Sequence, residues 1–299
     1  MCVRGVGSGG DGRLGKGQEG MEVGDQEGGE EREIRGGIGL IGRFRDIQGV
    51  EIDRRREQVE GEGGVGLSGS SCAISSVGRD RQRVTREREI VSWIGRMGAV
   101  SVEHVRRRWE VGRSVAYALV ARLVEAGLIE RVATLPGDPT LLRATHDGLR
   151  YARLGLAVAK VNPGQVDHWL ACGDVAVWAE GQWGTDGLMS ERELRFAELD
   201  SRRPIGSAVV GELPSGRELL HRPDLLVTDN GSPVAIEVEL TPKAPRRLEQ
   251  LVRAWRRARH VDQVLYVVPS GPTERAVRRA IDRKAARERV EVLELDSLR

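Results

Sequence analysis

Aromatic side chains are scarce: two phenylalanines, three tyrosines and six tryptophans make up 4% of 299 residues. Lysine is nearly absent, with four (Lys16, Lys160, Lys243, Lys284) among 47 basic residues. The arginine excess matches the codon bias of a GC-rich genome, and it also supplies planar guanidinium forks suited to phosphate. No run approaches the ~20 consecutive apolar residues that a membrane helix needs. The opening MCVRGVGSGG lacks the apolar core of a secretory signal. A secreted or membrane protein is therefore not expected, and a cytoplasmic location is. Cys2, Cys72 and Cys172 are odd in number and far apart, which fits neither a disulfide framework nor a zinc site. The formal net charge of +2 says little about partners. The body shows no Ser/His/Asp set and no phosphate-binding glycine loop. GSGGDG near the start is a weak match with no strand before it, and no organic cofactor is implied.

Two compositions divide the chain. Positions 1–80 hold 22 of the 39 glycines, a single aromatic (Phe44) and no tryptophan. Glycine costs the most backbone entropy on ordering, and few large side chains are present to offset it. Residues 1–83 are expected to be a disordered Gly/Arg-rich leader. A misassigned start codon, with the true start near Val77 or Val84, is an alternative, and an Arg-Gly tail touching nucleic acid is another. The body from Arg83 on shows no internal repeat.

Residues 84–152 read as a winged helix-turn-helix. Thr85 is the expected N-cap of a first helix with Ile90, Trp93, Ile94 and Met97 on one face and Gly98 at its end. Ser101 caps a second helix, with Val102, Val105 and Trp109 inward and Arg106, Arg107 and Arg108 mostly outside. A third helix spans about 113–126, with Val115, Leu119, Leu123 and Val124 apolar and Gly127 as its stop. Segments 128–132 and 141–145, joined through Leu135-Pro136-Gly137-Asp138-Pro139, form a hairpin. In this arrangement Arg113, Ser114 and Tyr117 face the bases of a major groove. Arg122 and the wing meet phosphate or minor groove, and Arg106 and Arg107 meet the backbone. The partner expected is double-stranded DNA. A winged helix used for protein contacts is the rival reading.

Residues 153–189 read as a helical connector. Asn162-Pro163-Gly164 makes a turn. A helix over 165–180 follows, interrupted by Gly173. His168 and Asp174 are its polar residues, and a lone His in such a helix is expected to be a packing residue. Cys172 is expected to be a small core residue.

Residues 190–299 carry the chemistry. Ser190-Glu191-Arg192-Glu193 has the look of a capped helix start. His221-Arg222-Pro223-Asp224 opens a strand, Leu225 to Val227, and Asp229-Asn230-Gly231-Ser232 turns it back. The return strand, Val234 to Leu240, places Glu237 and Glu239 on one face and Ile236, Val238 and Leu240 on the other. Asp224 stands across the hairpin. Three converging carboxylates make a hard oxygen site for Mg²⁺ or Mn²⁺, which could activate water on a phosphodiester. A helix follows over 245–259, then a buried strand over 261–268, a helix over 273–287 and a last strand over 290–295. The order α-β-β-α-β-α-β suits an α/β core.

Pro223-Asp224 with Glu237-Val238-Glu239 thirteen positions on resembles the PD-(D/E)xK nucleases, whose fold is restriction-endonuclease-like. Glu239 stands where that pattern has lysine, and Lys243 is the nearest cation to replace it. Glu193 matches the place of a further acid. The resemblance implies Asp224, Glu237 and Glu239 as metal ligands, with Lys243 and Glu193 in support. The strings RSVAYALVARLVEAGLIER, DHWLACGDVAVWAE, SERELR and HRPDLLVTDNGSPVAIEVELTPK make residues 84–299 look like the replication-relaxation family of actinobacterial plasmids and mobile elements. That resemblance implies a DNA-binding protein of plasmid replication or mobilisation, with a metal-dependent endodeoxyribonuclease or nickase as its enzymatic form. A non-catalytic transcription or replication regulator is the alternative. Homodimer formation and contacts with replication or mobilisation proteins are left open.

Overall fold

The computed structural model describes residues 71–229 and 231–298. The expected leader, as far as residue 70, lies outside them. Among the described residues the chain is a mixed α/β protein with eight α-helices and three sheets. None of these helices is long and apolar enough to cross a membrane.

Helix α1 runs Ser71–Met97, so Thr85 lies within it and is no N-cap. No proline separates residue 71 from Thr85, and the one intervening glycine, Gly78, costs a helix only ~1 kcal/mol. Ile90, Trp93, Ile94 and Met97 recur at helical spacing and are all buried. Strand β1 (Val100–Ser101) leads into helix α2 (Val102–Arg108). Ser101 Oγ accepts from His104 N at 3.3 Å, and His104 Nδ1 accepts from Ser101 N at 3.1 Å. Helix α3 (Arg113–Glu125) buries Ala116, Leu119, Val120 and Leu123. Val115, expected inward, is exposed, and Val120 takes its place on the inner face. Strands β2 (Ile129–Val132) and β3 (Leu141–Ala144) pair antiparallel, and β1 adds to the far side of β3. Helix α4 (His146–Tyr151) is capped by Thr145, whose hydroxyl accepts from Gly148 N.

Helix α5 (Val166–Trp183) is continuous through Gly173. A Cβ at that position would lie 2.4 Å from the His104 ring, so the glycine marks the close approach of α2 and not a break. Ala171, Cys172, Val175, Ala176 and Ala179 of α5 share one apolar cluster with Ile90, Ile94 and Val105 on one side and Leu225, Val227 and Ile236 on the other. The segment expected to connect two domains is thus the layer through which both are packed.

Beyond α5 come strand β4 (Met189–Ser190), helix α6 (Glu191–Ser201), and strands β5 (Ala208–Glu212) and β6 (Glu218–His221). Strands β7 (Leu225–Asp229) and β8 (Ser232–Val238) follow, then helix α7 (Pro245–Arg257), strand β9 (Gln263–Val268), helix α8 (Pro272–Arg283) and strand β10 (Val290–Glu294). The main sheet has the order β10-β9-β8-β7-β4. Strands β8, β9 and β10 are parallel, and β4 and β7 run against their neighbours. Strands β5 and β6 form a separate hairpin with no counterpart in the expected element order. It sits mostly exposed, so its strands lack the in-out alternation that marks a half-buried strand.

The sheet is covered on both faces. Val234, Ile236, Leu265 and Val267 pack toward α5. Ala235, Val264, Tyr266 and Val268 pack with Leu248, Val252 and Trp255 of α7 and Val277 and Ile281 of α8. The glutamates of the return strand, expected on a half-buried strand, are therefore buried themselves: Glu237 is 5% exposed and Glu239 6%.

Candidate active site

The hairpin β7–β8 fixes the centre. Leu225 pairs with Ile236 and Asp229 with Ser232, which leaves a two-residue turn with Gly231 at φ 89°. That left-handed backbone is what glycine allows at low cost. Extending the register by one residue sets Asp224 opposite Glu237, and opposed residues share a face of an antiparallel pair. Asp224 Oδ2 accepts from Val238 N at 2.7 Å, which holds the carboxylate against the return strand. Asp224, Glu237 and Lys243 line one cleft of 280 Å³ together with His168, His221 and Glu191.

Each acid has a defined partner. Asp224 Oδ1 meets His168 Nε2 at 3.1 Å. Glu237 Oε1 accepts from Trp255 Nε1 at 2.9 Å and meets His221 Nε2 at 2.7 Å. Glu239 is paired with Lys243. The fields overlap. The Asp224 hydrogen bond holds His168 above the ordinary histidine pKa, against burial and Lys243, with Glu239 adding to it. Burial would depress His221, but Glu237 outweighs it and the imidazole is also held above its usual value. Burial pushes Glu239 above the usual carboxylate range. Lys243 opposes that shift, and Glu237 and Asp224 reinforce it. The three carboxylates thus each keep a partner of their own within one overlapping field.

Contacts of α6 set one wall of the cleft. Glu198 on α6 is buried and accepts from Ile205 N, Gly206 N, Ser207 N and Ser207 Oγ. It also accepts from Arg222 Nε at 2.9 Å, which fixes the guanidinium beside Asp224. Glu191 N donates to Asp224 O at 2.9 Å and ties α6 to the start of β7.

Glu193, expected as the further acid, lies elsewhere. Its carboxylate accepts from Ser190 N in a capping box and pairs with Arg96 of α1 at 2.7 Å. Glu191, two residues earlier, lines the cleft instead. Glu193 serves the junction between α1 and α6, where Arg192 also donates to the Gly95 and Ala157 carbonyls.

Among the described residues, one group of three has ligand atoms all within 4.8 Å of one another: His168, Cys172 and Asp224. Cys172 does not complete a nucleophile relay. Its Sγ approaches His168 Nε2 at 3.5 Å, the same nitrogen that meets Asp224, whereas a relay uses both ring nitrogens. Burial pushes its thiol well above the ordinary pKa. Asp224, Glu237 and Glu239, expected as the metal ligands, are not such a group: Asp224 and Glu237 share the cleft as oxygen donors of the kind a hard divalent ion takes, and Glu239 lies outside its lining. A thiol does not suit Mg²⁺.

The residues expected to meet DNA divide in two. Arg113, Ser114, Tyr117 and Arg122 are all exposed on α3; Arg113, Ser114 and Tyr117 lie within about 100° of one another around the helix, whereas Arg122, nine residues from Arg113, lies on the opposite side. Arg113 lies 5.7 Å from the Tyr117 ring centre, and Arg122 pairs with Glu87 at 3.3 Å. Arg106 is bound by Glu103 in a two-oxygen contact at the surface. Arg107, expected to face outward, points inward to Asp174 at 2.6 Å, beside the His104–Asp174 contact. Arg108 likewise pairs with Glu180 and lies 4.3 Å from the Trp109 ring centre. The two arginines join α2 to α5, because acids of α5 face them across the packed interface.

Sequence reasoning missed His168, His221, Glu191 and Arg222 as site residues. His168 stands 56 positions from Asp224, and no local pattern links them. His221 was in view next to Pro223-Asp224, but only the three-dimensional hairpin turns it toward Glu237.

Comparison with family models, with curated proteins and with solved structures finds no match. The functional reading rests on the geometry.

Proposed function

We propose that the chain is a DNA-binding protein of the replication-relaxation type that cuts or nicks DNA with Mg²⁺ or Mn²⁺ in service of plasmid or mobile-element replication or mobilisation. Residues 84–152 act in this reading as a winged helix-turn-helix, and residues 190–299 as a restriction-endonuclease-like domain packed on it. Helix α3 supplies Arg113, Ser114 and Tyr117 to a major groove, and the β2–β3 hairpin is the wing. The observation that carries the catalytic half is the carboxylate pair: half-buried Asp224 and buried Glu237 opposed on paired strands in one cleft, with Glu239 beside Lys243.

Asp224 and Glu237 would hold the ion, with Glu239 as the adjoining acid. The ion supplies charge neutralisation at the phosphodiester and a water of lowered pKa. Trp255 and His221 orient Glu237, Val238 N and His168 orient Asp224, and Lys243 offsets the charge that develops on phosphate oxygens. His168 lies at the cleft's edge, where it can move a proton.

A second reading, a regulator without catalysis, draws on one observation. Every acid of the cluster already has a protein partner. One experiment separates the two. The full chain is incubated with supercoiled plasmid and Mg²⁺ or Mn²⁺ beside Asp224→Asn and Glu237→Gln. Nicking or linearisation lost in both variants is expected. Salt-sensitive binding without cleavage in either metal would sink the nuclease reading and leave the regulator.

A further inference from the structure

A cleft at the C-terminal ends of α7 and α8 is lined by cations. Arg253, Arg256, Arg257, Arg259, Arg283 and Lys284 surround 570 Å³ where the C-terminal ends of α7 and α8 meet. The two ends are tied together: Arg256 Nη1 donates to Lys284 O at 3.0 Å. One carboxylate answers the six cations. Glu249 pairs with Arg283 at 2.9 Å and with Lys284 at 2.6 Å. Among the described residues, Arg253, Arg257 and Arg259 pair with no acid, and all three are exposed.

The cleft is distinct from the carboxylate cleft, and the two share no lining residue. Strands β8 and β9 are parallel neighbours, and α7 is the crossover between them. From its last turn Trp255 reaches inward to Glu237, while Arg253, Arg256 and Arg257 on either side of it face the cation cleft. The exposed residues Arg246, Gln250, Arg253 and Arg257, at helical spacings of four, three and four, form a stripe along α7.

Cations near helix C-termini are favourable to the dipole, but that effect fades within the last turn. It accounts for Arg256, Arg257 and Arg283. It does not account for Arg253 a turn earlier, nor for Arg259 beyond the helix. Six like charges around one cleft repel one another, and a polyanion relieves that repulsion. The lining is six cations and Ala285, with no apolar or aromatic floor on which a base or a small organic ring would rest. Five of the six cations are arginine, whose fork matches phosphate oxygens.

We propose that this arginine cleft binds the phosphate backbone of DNA at a second site, separate from the carboxylate cleft. The proposal rests on the DNA-binding reading above and extends it. The contact carries no base readout, so it holds DNA of any sequence along α7.

The test uses the full chain and a 30-base-pair duplex of arbitrary sequence, followed by fluorescence anisotropy over a potassium chloride series. Arg253→Ala/Arg257→Ala/Arg259→Ala is expected to weaken binding at least tenfold at low salt. It should also make the slope of log K against log salt shallower by about two to three. Arg113→Ala/Tyr117→Ala serves as the second arm. Loss in that pair with the triple variant within twofold of wild type and of equal slope overturns this inference and leaves the DNA-binding reading standing. Loss in the triple variant alone supports the cleft and sinks the role given to α3. No binding by the wild-type chain overturns both. Circular dichroism and thermal unfolding confirm that the triple variant, altered only at exposed positions, is folded.

Discussion

The two clefts of the C-terminal region are built to opposite rules. In the smaller, Glu237 is buried and Asp224 half-buried, and each is held by named hydrogen bonds: His221 and Trp255 on Glu237, Val238 N and His168 on Asp224. The larger, at the C-terminal ends of α7 and α8, is lined by cations with one shared acid. Burial makes every polar contact of the first strong and costly to lose, because an unpartnered buried group gives up its hydration without return. Exposure makes each contact of the second weak and replaceable, since solvent and salt screen it. The first is suited to hold one geometry for chemistry. The second is suited to hold a long polyanion loosely, at any register.

That contrast is broken most severely at Trp255. It is fully buried, anchors α7 on the sheet and donates to Glu237. Trp255→Ala should cost about 3–5 kcal/mol in urea unfolding, from the cavity and the lost packing. Trp255→Phe keeps most of the packing and loses the donor, so it should retain most of the stability while any cleavage falls. Equal cleavage by Trp255→Phe and wild type would show that the indole N–H does not position Glu237. Next in size is Glu198→Ala. It removes the acceptor for five donors and leaves Arg222 uncompensated, and should cost about 3 kcal/mol. On the exposed side of the same turns of α7, Arg253→Ala and Arg257→Ala, with Arg259→Ala just beyond the helix, should each leave stability within about 0.5 kcal/mol of wild type. A loss above that in any of them would mean the cations are packed parts of the fold and would erase the difference between the two clefts.

The parts that were legible in the sequence are those governed by local rules. Helix α3 begins at Arg113 as the periodicity implies, and the β7–β8 turn falls at the Asp-Asn-Gly-Ser string. Alternation placed Glu237 and Glu239 on one face, but it could not show that α7 covers that face, so the acids read as half solvated. The site residues that stayed hidden are contacts between distant segments. His168 reaches Asp224 only because α5 lies against the sheet, where its Ala171, Cys172 and Val175 share an apolar cluster with Leu225, Val227 and Ile236. The arginines of α2 illustrate the same limit. A charged residue on a short amphipathic helix reads as exposed, yet Arg107 and Arg108 meet acids on α5 that no pattern in their own segment announces. The β5–β6 hairpin was overlooked because an exposed ribbon carries no core-facing alternation.

The smallest expected effect sharpens the comparison most directly. Glu249 is the acid that pairs with two cations of the cleft, and its bonds to Lys284 and Arg283 hold its carboxyl below the ordinary value of 4.5. A carboxylate depressed in the folded state contributes stability in full above its unfolded pKa and loses it as the pH falls through the depressed value. Glu249→Gln should therefore melt slightly below wild type at pH 7 and at the same temperature once the pH is well under 4.5. Binding should move the other way. Removing the acid raises the cleft's net positive charge, so affinity for the 30-base-pair duplex should rise at low salt, by at most about fivefold for an exposed charge. The gain should fade as salt shortens the Debye length from about 10 Å at 0.1 M to about 3 Å at 1 M. It should also shrink as acid protonates Glu249 in the wild type and makes the two proteins alike. Glu239→Gln gives the contrasting case, because its acid is buried beside Lys243 and its pKa is raised. If Glu249→Gln left DNA affinity unchanged at low salt, the cation cleft would not be part of the DNA path.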